Sequence, residues 1–191
     1  MENKFFTFFK PYFDYIDDGS FFRKPYYWFY TIFAVLNLLF PLVILVSAID
    51  NHVFSFGGKV AFAFILVWII LALAAWVSFQ LWWDRKSKVI NVTSPGDDFV
   101  AIPVFAHLIQ TFGEWLGTYI AIVGTLTSLL LWLILGAEGA ELLQMLGVNF
   151  LGMAVSNIVV MPLFGLIIIG LFRFIAEQAR ALASIANNTK K

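Results

Sequence analysis

The residues best equipped for chemistry lie in one stretch, "HLIQTFGEWLGTYIAIVGTLTS" (107–128), which is apolar enough for a membrane yet carries His107, Gln110 and Glu114. Placed on a helix with His107 at the origin, Gln110, Thr111, Glu114, Thr118, Thr125 and Ser128 fall within about 60° of one line. Gly113, Gly117, Ala121 and Gly124 flank that line, and Thr127 is the one hydroxyl out of place. The opposite arc is made of large apolar side chains, among them Phe105, Phe112, Trp115, Ile120 and Leu126. Two chemistries are open to such a stripe. Lining water, His107 and Glu114 would be stations for an ion or a proton. Facing protein, Gly113-x-x-x-Gly117 and Ala121 would let another helix approach closely, with hydroxyls bonding across the contact. Packing has the stronger case. Beyond Thr118 the stripe holds only hydroxyls and small residues, and no other span interior contains an Asp, Glu, Lys, Arg or His.

Other chemistry is poorly provided for. The chain has no cysteine and two histidines, which removes disulfides, thiolate nucleophiles and Cys-ligated metals. No Ser–His–Asp set, carboxylate pair, phosphate-cradling glycine loop or metal-ligand spacing is present. An enzyme, a cofactor and a metal are therefore not expected. The formal net charge is zero, so no global field draws the chain to nucleic acid.

The elements that must position the stripe are membrane spans. Of the 191 residues, 61 % are hydrophobic and 13 % charged, against about 25 % charged in soluble domains. Runs at 26–49, 60–83, 116–135 and 150–172 are each long enough to cross a hydrocarbon core, which takes about 20 residues. Lys4, Lys10, Arg23, Lys24, Arg85, Lys86, Lys88, Arg173, Arg180, Lys190 and Lys191 fall on one side, and Lys59 alone on the other. Both termini and the middle loop are therefore expected in the cytoplasm. Trp28, Trp82, Trp83 and Trp115 would then sit at that interface.

Two flanking helices complete a single membrane domain, 1–191. At 3–18, Phe5, Phe8, Phe9, Tyr12, Phe13 and Ile16 share one face and Thr7, Lys10, Asp14 and Asp17 the other, the pattern of a helix lying in the interface. At 173–187 the last span continues into the cytoplasm, with an alanine face that includes Ala176, Ala179 and Ala183. Asn37 before Pro41 and Asn157 before Pro162 suit interhelical bonding beside a kink. Counting depth from the outer ends of adjacent antiparallel helices brings Glu114 and Arg173 to the same level, and an ion pair is expected between them or, in an oligomer, between Glu114 and the equivalent arginine of a neighbour.

The stretches "IDDGSFFRKP", "FQLWWDRK", "GDDFVAIPVFAHLIQTFGEWLG" and "RFIAEQARALASIANNTK" resemble an uncharacterised family of small four-span bacterial inner-membrane proteins, of the kind found in Bacteroidota. The closing Arg…Glu…Ile-Ala-x-Asn-Thr pattern is similar, more distantly, to other small bacterial membrane domains of unknown function. The resemblance implies an inner-membrane location and assigns no catalytic or binding residue. The expectation is an all-α, non-enzymatic membrane protein. It would embed in lipid and assemble as a homo-oligomer or as an accessory subunit of a membrane complex. The alternative is an oligomeric channel or small transporter lined by the third span.

Overall fold

The computed structural model describes residues 8–17, 19–93, 99–136 and 154–189. Every described element is helical: α1 (Lys10–Asp17), α2 (Ser20–Asp50), a 3-10 turn (Val53–Ser55), α3 (Gly58–Val89), α4 (Ala101–Tyr119), a π turn (Ile120–Gly124), α5 (Thr125–Leu135) and α6 (Ala154–Thr189). α4, the π turn and α5 form one continuous rod of 35 residues. With α2, α3 and α6 it gives four helices long and apolar enough to cross a membrane. Only 11–22 % of the most apolar window of each is buried inside the molecule, so their leucine, isoleucine and valine side chains face outward. Continuous apolar surface on that scale belongs in lipid, not water.

Each rod outruns its expected span. α2 starts six residues before position 26, and α3 runs six past position 83. The third helix begins at Ala101 rather than at 116, and α6 runs to Thr189, two residues past the expected end of its extension at 187. The expected start of the last span at 150 and the first residues of the helix expected at 3–18 lie outside the described residues.

The turns explain the breaks. Gly19 links α1 to α2 in a left-handed conformation (φ 73°), and a Cβ there would sit 2.8 Å from Val100 Cγ1. Both requirements select glycine. Between α2 and α3, His52 (φ 53°) and Gly57 (φ 112°) reverse the chain within a few residues. Pro11 occupies the first turn of α1, where its missing N–H leaves no helical bond unmade. The rings of Phe8 and Phe9, just ahead of α1, and of Tyr12 and Phe13 within it are exposed.

α2 and α3 pack antiparallel. Trp68 Nε1 donates to the Pro41 carbonyl at 2.8 Å, and Trp82 packs on Tyr30 and Phe33. Asn37 works between helices: its Nδ2 donates to the Phe33 carbonyl (2.8 Å), and its Oδ1 accepts from Trp115 Nε1 of α4 (2.9 Å). One buried cluster, Tyr30, Ala34, Trp82, Val89 and Val104, fills the end of the bundle near the middle connection. A second, Ala63, Leu131, Leu135 and Met161, fills the opposite end. Trp82 was expected among the interfacial indoles, yet it is 0 % exposed and lies in the first cluster. Its neighbour Trp83 points outward with Trp28.

Among the described elements, α4 and α6 make the most extensive contact. A Cβ on Gly117 would stand 2.5 Å from the Gly165 carbonyl oxygen and 2.6 Å from Ile169 Cγ1. A Cβ on Gly165 would strike the Gly117 carbonyl and Ala121, and one on Gly113 would overlap the Cβ of Phe172. Further along, Gly124 lies against Met161. Where the obstacle is backbone, side-chain repacking cannot relieve it. Gly117→Ile should therefore destabilise the protein by at least the ~1–3 kcal/mol typical of overpacking, read as a lower melting temperature in detergent. Leu133→Ile, on an exposed face, should leave the melt unchanged, and an equally unchanged Gly117→Ile would remove the close contact.

Candidate functional site: a polar layer joining four helices

The polar residues of the third helix meet partners on all three of the other long helices. Glu114 of α4 is the centre. Arg85 of α3 grips one carboxylate oxygen, Oε2, with Nη2 at 2.8 Å and Nε at 3.0 Å. Gln110, one turn earlier on α4, donates from Nε2 to the other oxygen, Oε1, at 2.6 Å. Arg180 of α6 donates through Nη2 to Gln110 Oε1 and through Nε to the Ala176 carbonyl (3.3 Å). The chain Arg85–Glu114–Gln110–Arg180 thus ties α3, α4 and α6 together. It is largely shielded: the side chain of Glu114 is 12 % exposed and that of Arg85 27 %. Both carboxylate oxygens are held, so desolvation of the acid is offset by charge-assisted hydrogen bonds.

The second part of the layer joins α2 to α4. Tyr30, His107 and Thr111 are all buried. The Tyr30 hydroxyl lies 2.7 Å from His107 Nδ1 and 3.3 Å from Thr111 Oγ1, and Thr111 Oγ1 donates to the His107 carbonyl at 2.8 Å. Thr111 has spent its proton on that carbonyl, so Tyr30 is the donor wherever these two hydroxyls bond. Two proton arrangements fit. Tyr30 donates to Nδ1, or Nδ1–H donates to Tyr30, which then donates to Thr111.

Within the chain the expected pair of Glu114 with Arg173 is not formed. The two residues lie at a similar height along their helices but on different sides of the α4–α6 seam. Phe172 faces Gly113 across the seam, so Arg173, about 100° further round the helix, points away. Its side chain is 59 % exposed and pairs with Glu177 on its own helix (3.1 Å). Arg85 was the partner that depth counting missed, because α3 was expected to end at Trp83 and leave Arg85 in a loop. The signal was present in "FQLWWDRKSKV", which has no helix breaker before Val89.

The rest of the stripe divides between two neighbours, α6 and α3, instead of facing one. Gly113, Gly117, Ala121 and Gly124 meet α6. Thr118 borders α3 beside Ala74 and Ser78, in a crevice too tight for a water molecule. Ser128 and the misfit Thr127 are both buried, because α5 packs on α3 as well as α6. The hydroxyls of Tyr119, Thr125, Thr127 and Ser128 are buried without a hydrogen-bond partner. Among the described residues no group of His, Asp and Glu is arranged to hold a metal ion.

A double-mutant cycle tests the central pair. Arg85→Gln and Glu114→Gln should each destabilise by ~1–3 kcal/mol, the cost of leaving a shielded partner unsatisfied. Combined, they should cost less than their sum by more than ~0.5 kcal/mol. The corresponding cycle of Glu114→Gln with Arg173→Gln should be additive; strong coupling there would restore the Arg173 pair. Tyr30→Phe should lower stability by about 1 kcal/mol through loss of its hydroxyl bonds.

Comparison of the chain with protein-family models, with curated proteins and with solved structures finds no match, which leaves the geometry of this layer as the ground for a functional reading.

Proposed function

We propose that this chain is a non-enzymatic, multi-pass protein of a bacterial inner membrane, with both termini in the cytoplasm, that assembles with itself or serves as an accessory subunit of a larger membrane complex. One observation carries the reading: the polar and small residues of the third span are used for contacts within the chain. Glu114 is held by Arg85 and Gln110, and the Gly117 surface is covered by α6. These contacts support reading the stripe as a packing surface rather than a pathway. The orientation rests on the lysine and arginine asymmetry, with the polar layer at the cytoplasmic edge of the hydrocarbon. In that setting α1 lies along the inner leaflet with its exposed rings in the acyl boundary, and the end of α6 stands in the cytoplasm.

The alternative, an oligomeric channel or small transporter, has one observation in its favour. The unpartnered hydroxyls of Tyr119, Thr125, Thr127 and Ser128 are grouped along the third span. The native mass of the gently solubilised complex separates the readings. A fixed foreign chain, or a closed homo-oligomer whose proteoliposomes show no ion flux above empty vesicles, is the expected result. Flux that responds to Thr125→Val or Ser128→Ala would replace the assembly reading with the channel. For α1, a fluorophore at Phe9 should be shielded from aqueous quenchers in liposomes and one at Lys10 should not. Equal quenching at both would lift α1 off the membrane.

A further inference from the structure

A crevice of about 390 Å³ opens between the first turns of α2 and the end of α3, lined by Ser20, Lys24, Tyr27, Trp28 and Ile90. Beside it, one turn before Ile90, lies Lys86. Lys86 is 8 % exposed, and its Nζ stands 2.8 Å above the centre of the Trp83 ring and 5.2 Å from that of Tyr27. Lys24, on the crevice wall, has its Nζ 5.6 Å over the Tyr15 ring. Neither lysine forms an ion pair among the described residues, whereas Lys88, two residues on from Lys86, is taken by Asp84 at 2.6 Å. Ring faces attract a cation but do not neutralise it. An ammonium that meets only ring faces among the described residues keeps its full charge, and a bound anion would complement it.

The surroundings specify which anion. Trp28 is 64 % exposed at the rim, the setting of an indole at a membrane–water boundary. From the crevice, α2 continues along its length with the exposed apolar side chains Ile32, Leu36 and Leu39. A ligand here meets the Lys24 ammonium on the crevice wall, with Lys86 behind the Tyr27 ring, and an apolar helix face along its tail. Basic pockets between spans at a membrane surface take phosphate headgroups.

We propose that this crevice is a binding site for an anionic phospholipid. Lys24 and Lys86 hold its phosphate, Tyr27 forms the wall between them, and the acyl chains lie along the outer face of α2. The site is separate from the Glu114 layer and does not depend on what the protein assembles with. Its readout is lipid bound per chain.

The test is native mass spectrometry of the full chain released from bilayers of phosphatidylcholine mixed with phosphatidylglycerol. The wild type should retain phosphatidylglycerol in preference to phosphatidylcholine. Lys24→Gln, at an exposed position, should lower that preference about fivefold, the usual effect of one lysine at an anionic surface. Lys24→Gln/Lys86→Gln should abolish it. Lys86→Arg, which keeps the charge, should preserve it, as should Lys88→Gln. Helical circular dichroism verifies folding of each variant, and Lys24→Gln alone is decisive if the double variant does not fold. Wild-type preference retained in folded Lys24→Gln overturns the proposal. Displacement of the retained lipid by inorganic phosphate or glycerol phosphate at matched ionic strength also overturns it, in favour of a soluble phosphate ligand.

Discussion

The backbones of α4 and α6 come into direct contact at Gly117 and Gly165, and the register of the bundle follows from that approach. In lipid there is little hydrophobic gain from pressing two apolar helices together, so close packing and polar bonds must hold them. Removing the side chain at both positions lets dispersion act over many atoms along the seam. It also fixes the angular position of everything nearby. Gly113 falls against Phe172 and Gly124 against Met161, which brings Arg180 beside Gln110 and turns Arg173 outward. A glycine contact with no chemistry of its own thereby decides which arginine enters the polar layer.

The other side of α4 obeys a different rule. There the contacts are aromatic rings with polar tips: Trp115 donating to Asn37, Tyr30 bonded to His107, and Trp82 packed between them. Such side chains fill volume and satisfy a buried polar atom at the same time. One face of α4 is built for closeness and the other for filling, which is why its sequence looks lipid-compatible on both.

Four long helices were legible in the sequence because length and apolar composition alone mark them. The small-residue face of the third helix was legible for a related reason: Gly113, Gly117, Ala121 and Gly124 repeat at helical spacing, and all four meet α6 even though the π turn interrupts the regular spacing at Ile120–Gly124. What periodicity does not carry is the identity of the neighbour. A helical wheel assigns each residue a direction but not the helix met in that direction, so one polar line became contacts to α2, α3 and α6. Depth counting has the same blind spot: it placed Arg173 at the level of Glu114 and said nothing about rotation. Trp82 and Trp83 make the point most sharply. Both read as interfacial indoles, yet a turn of about 100° separates a core ring from a surface one.

The spacing of the polar layer along the chain bears on how the protein is made. Arg85 and Glu114 are 29 residues apart, on consecutive helices, whereas Arg180 reaches Gln110 from 70 residues away. The α3–α4 hairpin therefore carries its own charge compensation while the ribosome is still translating the last helix. Its acid and base can neutralise each other as the pair leaves the insertion machinery, before α6 exists to cover the glycine face. α6 then docks onto a hairpin already uncharged at its centre, and its arginine adds a bond to an amide rather than rescuing an exposed acid. In order of synthesis, Glu114 therefore has its Arg85 partner before the helix that carries Arg180 is made.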